Sequence, residues 1–415
     1  MPARSKPFVK AGAIALAALI AATTQAMAGG FAIREQSAEF QGSSFAGAAA
    51  GGLGLSSMFW NPATITMHKG MKSESNATLI MPWSKADNQV SPRIPPLLGN
   101  SGNIGQNAIV PASYNTFQLG DMIWLGLGVT APFGMKTENN PLSAGALYGY
   151  KSDIFNINVN PVVALKLNDM ISLATGVQIS YMEGDLSTAA GGVIQSRVKG
   201  DDWGYGFTAG LLLTPMEGTR VGIGYRSRVK HHLKGSLYLA ALGATNPASV
   251  KTTLPDMVTF SVHQQVTDRF ALKGTVEWAN WSVLKEFDVQ SAPVDPAPEA
   301  YDWKDSWHLA IGGEYAMTDQ FTLRAGYAFE KSPVPDSTRG VRVPDNDRHW
   351  LSAGFSFAAN EWLTVHGSYT HVFMKDGDFS LSDPSRRPVS GSFEQQINIF
   401  AVSATIDTGK LFFGR

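Results

Sequence analysis

Along most of this 415-residue chain apolar and polar residues alternate with a period of two, and the pattern recurs often enough to demand a sheet of many strands. From Phe321 to Glu330, the residues Phe321, Leu323, Ala325, Tyr327 and Phe329 share one face, and Thr322, Arg324, Gly326, Ala328 and Glu330 share the other. Leu351 to Ala358 and Ile171 to Tyr181 repeat it. Collecting such segments predicts fourteen strands, near 72–83, 113–119, 122–132, 153–167, 171–186, 202–214, 219–238, 252–266, 269–288, 302–317, 320–331, 347–358, 361–374 and 393–407. Six tight turns alternate with seven long loops (84–112, 133–152, 187–201, 239–251, 289–301, 332–346 and 375–392), which puts both chain ends on the short-turn side.

An even number of antiparallel strands with that asymmetry, and no apolar run past the leader long enough for a spanning helix, describes a closed outer-membrane β-barrel. A secreted sandwich or propeller is the alternative, since its buried face also alternates. Trp203, Trp278, Trp281, Trp303, Trp307, Trp350 and Trp362 near strand ends favour the barrel as interfacial girdles. Against it, the chain does not finish on an aromatic residue.

Residues 1–28 read as a secretory signal peptide: Arg4, Lys6 and Lys10 precede an apolar stretch, and Ala26-Met27-Ala28 is a small-x-small cleavage site. The charge balance of −1 gives no argument for nucleic acid, and the absence of Cys excludes disulfides and thiolate metal sites. No cofactor is expected. The eight His are scattered, His231-His232 has no company at metal-ligand spacing, and no G-x-S-x-G is present, which argues against an outer-membrane hydrolase.

Between the leader and the first strand, residues 29–70 are dominated by Gly, Ala and Ser, which bury little area for their backbone entropy. Phe31, Phe40, Phe45, Phe59 and Trp60 nevertheless need a dry site, so this segment is expected to be a plug, or hatch, inside a barrel built from 71–415. A filled lumen argues against an open porin. Within the barrel, Gly126, Gly128 and Pro132 in the third strand suggest a bulge or a break in pairing, with close packing on the plug as the alternative for the glycines. The apolar loop stretches Ile94 to Leu98, Leu142 to Tyr150 and Leu237 to Leu242 suggest an outer binding groove.

Several motifs then resemble the FadL family of outer-membrane long-chain fatty acid and hydrocarbon transporters. They include Gly29-Gly30-Phe31, Asn61-Pro62-Ala63, Ala131-Pro132-Phe133-Gly134, Asp201-Asp202-Trp203-Gly204-Tyr205-Gly206, Leu254-Pro255-Asp256, and Ser332-Pro333-Val334-Pro335 followed by Val343-Pro344-Asp345-Asn346-Asp347-Arg348. The resemblance covers the mature chain. It implies passive transport: ligand lands in a loop groove, enters a lumen pocket, and leaves sideways beside a kink in the third strand once the hatch end shifts. It further implies a gate at Gly29 to Ile33 with Phe31 near the pocket, Asn61-Pro62-Ala63 fixing the plug to the wall, and Lys304 meeting the ligand carboxylate. Trp60, Arg226 and Arg324 join Phe31 and Lys304 as expected ligand contacts. The family's second pocket cation falls at Tyr181-Met182-Glu183, where an acid stands; Arg197, Lys199, Arg226 and Arg324 are the available substitutes, and neutral aromatic or aliphatic hydrocarbons become an alternative ligand. The expected setting is the bacterial outer membrane, as a monomer surrounded by its lipid and lipopolysaccharide.

Overall fold

A computed structural model describes residues 29–90, 100–292, 295–383 and 386–413. The leader at 1–28, the Ile94 to Leu98 stretch and the terminal Gly414-Arg415 lie outside the described residues. Fourteen strands form the wall: β1 (Met71–Val90), β2 (Ala108–Gln118), β3 (Ile123–Thr130), β4 (Lys151–Lys166), β5 (Ile171–Ala190), β6 (Val193–Met216), β7 (Thr219–Arg226), β8 (Met257–Gln265), β9 (Phe270–Ala279), β10 (Ser306–Ala316), β11 (Phe321–Lys331), β12 (Arg348–Ala358), β13 (Leu363–Met374) and β14 (Arg386–Asp407). Each pairs antiparallel with the next. The last closes on the first, from Lys72 opposite Asp407 to Val90 opposite Val389. Closure joins the first strand to the last, as backbone surrounded by lipid requires.

The pleat sorts the side chains. On β11, Leu323 and Tyr327 are exposed while Arg324, Ala328 and Glu330 are buried. On β3 and β4, Leu125, Leu127, Val163 and Leu165 are exposed while Trp124, Val162 and Ala164 are buried. An apolar outer face over a polar or small inner one is the membrane-barrel arrangement.

The expected element bounds differ in several places: the loops expected at 84–112, 239–251 and 375–392 also carry strand, through Met71–Val90, Ala108–Gln118, Ala244–Leu254, Gly377–Asp383 and Arg386–Asp407. The loop expected at 187–201 is strand: β5 and β6 run on to a turn at Gly191-Gly192, paired through Thr188 and Ser196. Such extensions have no lipid to face, so the apolar alternation fades although the ladder continues. The strand expected at 219–238 breaks after Arg226 and resumes at Val229–Leu239, and its neighbour at 252–266 breaks at Pro255-Asp256. Pro255 cannot donate to a ladder, and Asp256 caps the break by accepting from the Arg228 N–H at 3.0 Å and the Tyr225 hydroxyl at 2.7 Å. The strand expected to reach 288 ends at Ala279, where Trp281–Val283 forms a helical turn, and β10 starts at Ser306 rather than 302. Of the seven Trp assigned to girdles, Trp203 and Trp307 are exposed, but Trp281, Trp303 and Trp350 are buried inside.

Residues 29–70 contribute no wall strand and are almost wholly buried within the ring. They fold as a short helix (Ala38–Gln41) and helical turns at Ala48–Ala50, Ser56–Phe59 and Pro62–Met67. Ser37 caps the helix, its Oγ accepting from the Phe40 N–H at 3.1 Å. Phe40, Phe45 and Phe59 pack on Trp60 with centroids 5.0–5.8 Å apart, giving the segment its dry centre. Small wall residues let it approach. A Cβ at Gly222 would lie 1.8 Å from the Ala49 carbonyl oxygen, and one at Gly224 would lie 1.7 Å from that of Trp60.

Candidate functional site: a plugged cavity beside a wall kink

The third strand stops at Thr130, the chain steps out of line through Ala131-Pro132-Phe133, and pairing with β4 resumes at Gly134–Glu138. Ala108 to Ala112 of β2 consequently have no β3 partner, since that ladder runs only from Ser113 to Gln118. On the Ala131 to Gly134 side of that gap, the plug takes up the backbone groups that β2 does not reach. The Ile33 N–H donates to the Pro132 carbonyl at 2.8 Å, and the Gly134 N–H donates to the Phe31 carbonyl at 2.8 Å. Gln36 clamps the same turn, Nε2 donating to the Ala131 carbonyl at 2.9 Å while Oε1 accepts the Ala131 N–H at 3.2 Å. A gap in the wall is therefore held shut by a few hydrogen bonds from the plug's first residues.

Phe31 extends from this junction into an aromatic cluster, with centroids 4.8 Å from Trp281, 5.7 Å from Trp303 and 6.2 Å from Phe133. On one side of Phe31 lies a narrow apolar cavity of about 60 Å³, walled by Met135, Ile154, Met182, Leu233 and Val250 among others. A more open outer groove of about 460 Å³ shares Leu186, Val198, Phe287 and Arg342 with that cavity, so the two adjoin. Beside Phe133 a void of about 10 Å³ is lined by Pro132, Asn158, Gln178 and Arg226.

Charged groups fasten the plug end. Arg34 bridges Glu277 at 2.5 Å and Glu330 at 3.1 Å, all three buried. Asp345 accepts from the Gly30 N–H at 2.8 Å and the Ser332 hydroxyl at 2.7 Å, and pairs with Arg348. This accounts for the Ser332 and Val343 to Arg348 motifs: they build the seat for the plug's first residues. Glu35 is buried, neither carboxylate oxygen has a hydrogen-bond partner among the described residues, and burial pushes its carboxyl up to about 7. Replacing Arg34 by Ala is expected to strand two buried carboxylates and cost about 3–5 kcal/mol of stability. Urea denaturation in detergent measures that cost, and removing Glu277 and Glu330 charges together with Arg34 is expected to recover most of it.

The expected site residues divide. Phe31, Gly29, Gly30 and Pro132 gather at the break in the wall. Asn61-Pro62-Ala63 seats in the wall, the Asn61 Nδ2 donating to the Leu211 and Ala49 carbonyls at 2.9 and 2.8 Å. Gly126 and Gly128 keep both their ladders, and a Cβ at either would run into Met58, so they are close-packing positions and the kink lies at Pro132 alone. Lys304 is exposed, its N–H donating to the Pro333 carbonyl at 2.8 Å. Parity counted back from His308 fails there because the strand begins only at Ser306. Trp60 lies in the plug's own core. Arg324 is committed to Glu39 at 3.2 Å and Glu314 at 3.1 Å, and Arg226 to the Phe59 carbonyl and Gln178 at 3.1 and 2.8 Å. Two aromatic partners of Phe31, Trp281 and Trp303, were not expected inside, because a Trp at a strand end suits a girdle or a lumen equally well.

A closed fourteen-stranded barrel whose lumen is filled by its own N-terminal segment, with an apolar cavity above that segment, is the architecture of a plugged outer-membrane transport barrel. The chain belongs to the outer membrane protein transport protein family (OMPP1/FadL/TodX), whose model matches residues 19–407. It is 28% identical to the long-chain fatty acid transport protein of Salmonella typhi, over 93% of this chain and 97% of that one. It is 29% identical to the Escherichia coli K12 protein of the same description, again over 93% and 97%. Among solved structures, a Pseudomonas aeruginosa FadL homologue superposes with a TM-score of 0.84 at 24% identity, covering 91% of this chain and 99% of the other. The Ralstonia pickettii toluene transporter TbuX superposes at 0.64 with 17% identity, covering 88% and 96%. This is an outer-membrane protein.

Proposed function

We propose that this protein carries long-chain fatty acids inward across the outer membrane by diffusion, without catalysis. Ligand settles in the loop groove, moves into the cavity above Phe31, and leaves sideways between β2 and the Pro132 kink when Gly29 to Ile33 release the wall. The observation that carries the reading is the pair of backbone hydrogen bonds by which Phe31 and Ile33 hold the Pro132 to Gly134 kink, where β3 leaves β2. Those bonds join the gate to the floor of the cavity, so a ligand that displaces Phe31 also loosens the wall. The molecule is taken to work as a monomer in contact with outer-membrane lipid and lipopolysaccharide.

A second ligand class, neutral hydrocarbons, is favoured by one observation: Lys304 stands outside the cavity and Met182-Glu183 occupies the position of a second cation. Titrating detergent-purified protein with oleate and with toluene, and following the fluorescence of Trp281 and Trp303 beside Phe31, separates them. Fatty acid transport predicts saturable quenching by oleate at lower concentration than toluene; the reverse order moves the assignment to hydrocarbons.

A further inference from the structure

The guanidinium best placed to meet a ligand carboxylate is in neither position that the family resemblance marks. Arg342 lies in the long loop between β11 and β12, and it lines both the outer groove and the apolar cavity. Its Nη1 donates to the Lys151 carbonyl at 3.3 Å and the Ser152 hydroxyl at 3.2 Å. No carboxylate lies within ion-pair distance of it among the described residues, whereas the other cation lining the cavity, Lys199, pairs with Glu183 at 2.8 Å and is half exposed. Within the groove Glu299 is the acid whose field reaches Arg342, and Arg386 is engaged with Asp383 at 3.5 Å. Two backbone and hydroxyl contacts thus orient Arg342 without neutralising it.

The cavity gives this cation a direction. Phe287, which like Arg342 belongs to both spaces, stacks on Tyr301 with centroids 6.3 Å apart. Tyr301 stacks on Trp303 at 5.8 Å, and Trp303 meets Phe31 at 5.7 Å. An aromatic ladder therefore leads from the end that holds Arg342 to the gate, and the lining between is apolar. Resting on the proposed transport function, we infer that Arg342 is the specificity-determining residue for an acyl carboxylate, holding it at the groove end while the hydrocarbon tail runs down the ladder to Phe31. The tail, not the head, then presses on the gate. A neutral hydrocarbon fills the same apolar space without using Arg342.

The test compares oleate with methyl oleate on wild type, Arg342→Gln, Arg342→Lys and Lys199→Gln, by fluorescence titration of purified protein. Because a charge-assisted hydrogen bond in a partly dry site is strong, Arg342→Gln is expected to weaken oleate binding roughly tenfold or more and to leave the ester within about twofold. Arg342→Lys is expected to recover part of the loss, and Lys199→Gln to weaken oleate binding far less than Arg342→Gln does. Wild type that binds oleate with Arg342→Gln binding it equally well overturns this inference alone. Equal weakening of acid and ester also overturns it, since that is the mark of a packing role. Wild type that binds neither compound contradicts the transport reading itself.

Discussion

Gly224→Leu is expected to expel the plug from its seat and open the lumen to polar solutes. The obstacle to the new side chain is not a flexible one: a Cβ there would sit 1.7 Å from the Trp60 carbonyl oxygen and 2.7 Å from its carbon. Gly210 faces the same segment, with the Asn61 Oδ1 at 2.2 Å and the Ala63 nitrogen at 2.9 Å from a Cβ. The obstacle at Gly224 is backbone, so no rotamer change relieves the overlap, and overpacking of this kind costs more than the usual ~1–3 kcal/mol. The wall strands keep their own ladders, with Gly224 paired to Gly210 and Thr259, so the barrel itself is expected to fold and to retain a heat-shifted gel mobility. Liposome swelling with a small sugar reads the outcome. Gly224→Leu is expected to swell and wild type to stay sealed. Gly274→Ala serves as the control, because its nearest obstacle is the Ala310 carbonyl oxygen at an ordinary 3.8 Å. A sealed Gly224→Leu barrel would show that the plug does not depend on this notch.

The strand number was legible because lipid imposes a rule on sequence: residues such as Leu125, Leu127, Leu309 and Ile311 must be apolar outside, while the lumen takes Ser, Thr and charge. Where lipid ends, the rule ends too. That is why the β5–β6 hairpin beyond Leu186 read as loop. The plug was legible from a mismatch, too many Phe among too many Gly and Ala to stand alone. The site was only half legible. Phe31 and Pro132 carry local chemistry that shows in sequence, a large aromatic in a polar, glycine-rich stretch and a residue that cannot donate. Lys304 was misplaced because parity counting assumes an unbroken strand, and the strand begins only at Ser306. Arg34, Glu277 and Glu330 come from three distant segments, and nothing in one sequence ties them together. Arg342 sits in a loop with no period at all.

The proposed gate can be locked. Ala32 and Phe133 face each other as an isolated antiparallel bridge, and the hydrogen bonds flanking them, Ile33 to Pro132 and Phe31 to Gly134, make them a non-hydrogen-bonded pair. Such pairs bring Cα atoms to about 4.5 Å, within the reach of a disulfide. The chain has no Cys of its own, so Ala32→Cys with Phe133→Cys introduces a unique bond. The decisive measurement is uptake of labelled oleate by cells lacking another fatty acid channel, with this double variant oxidised and then reduced. If ligand leaves through the wall when the plug end lets go, oxidation drops uptake to background while oleate binding to the purified protein persists, and reductant restores uptake. Equal uptake by the oxidised and reduced forms would contradict the gate and the sideways route together.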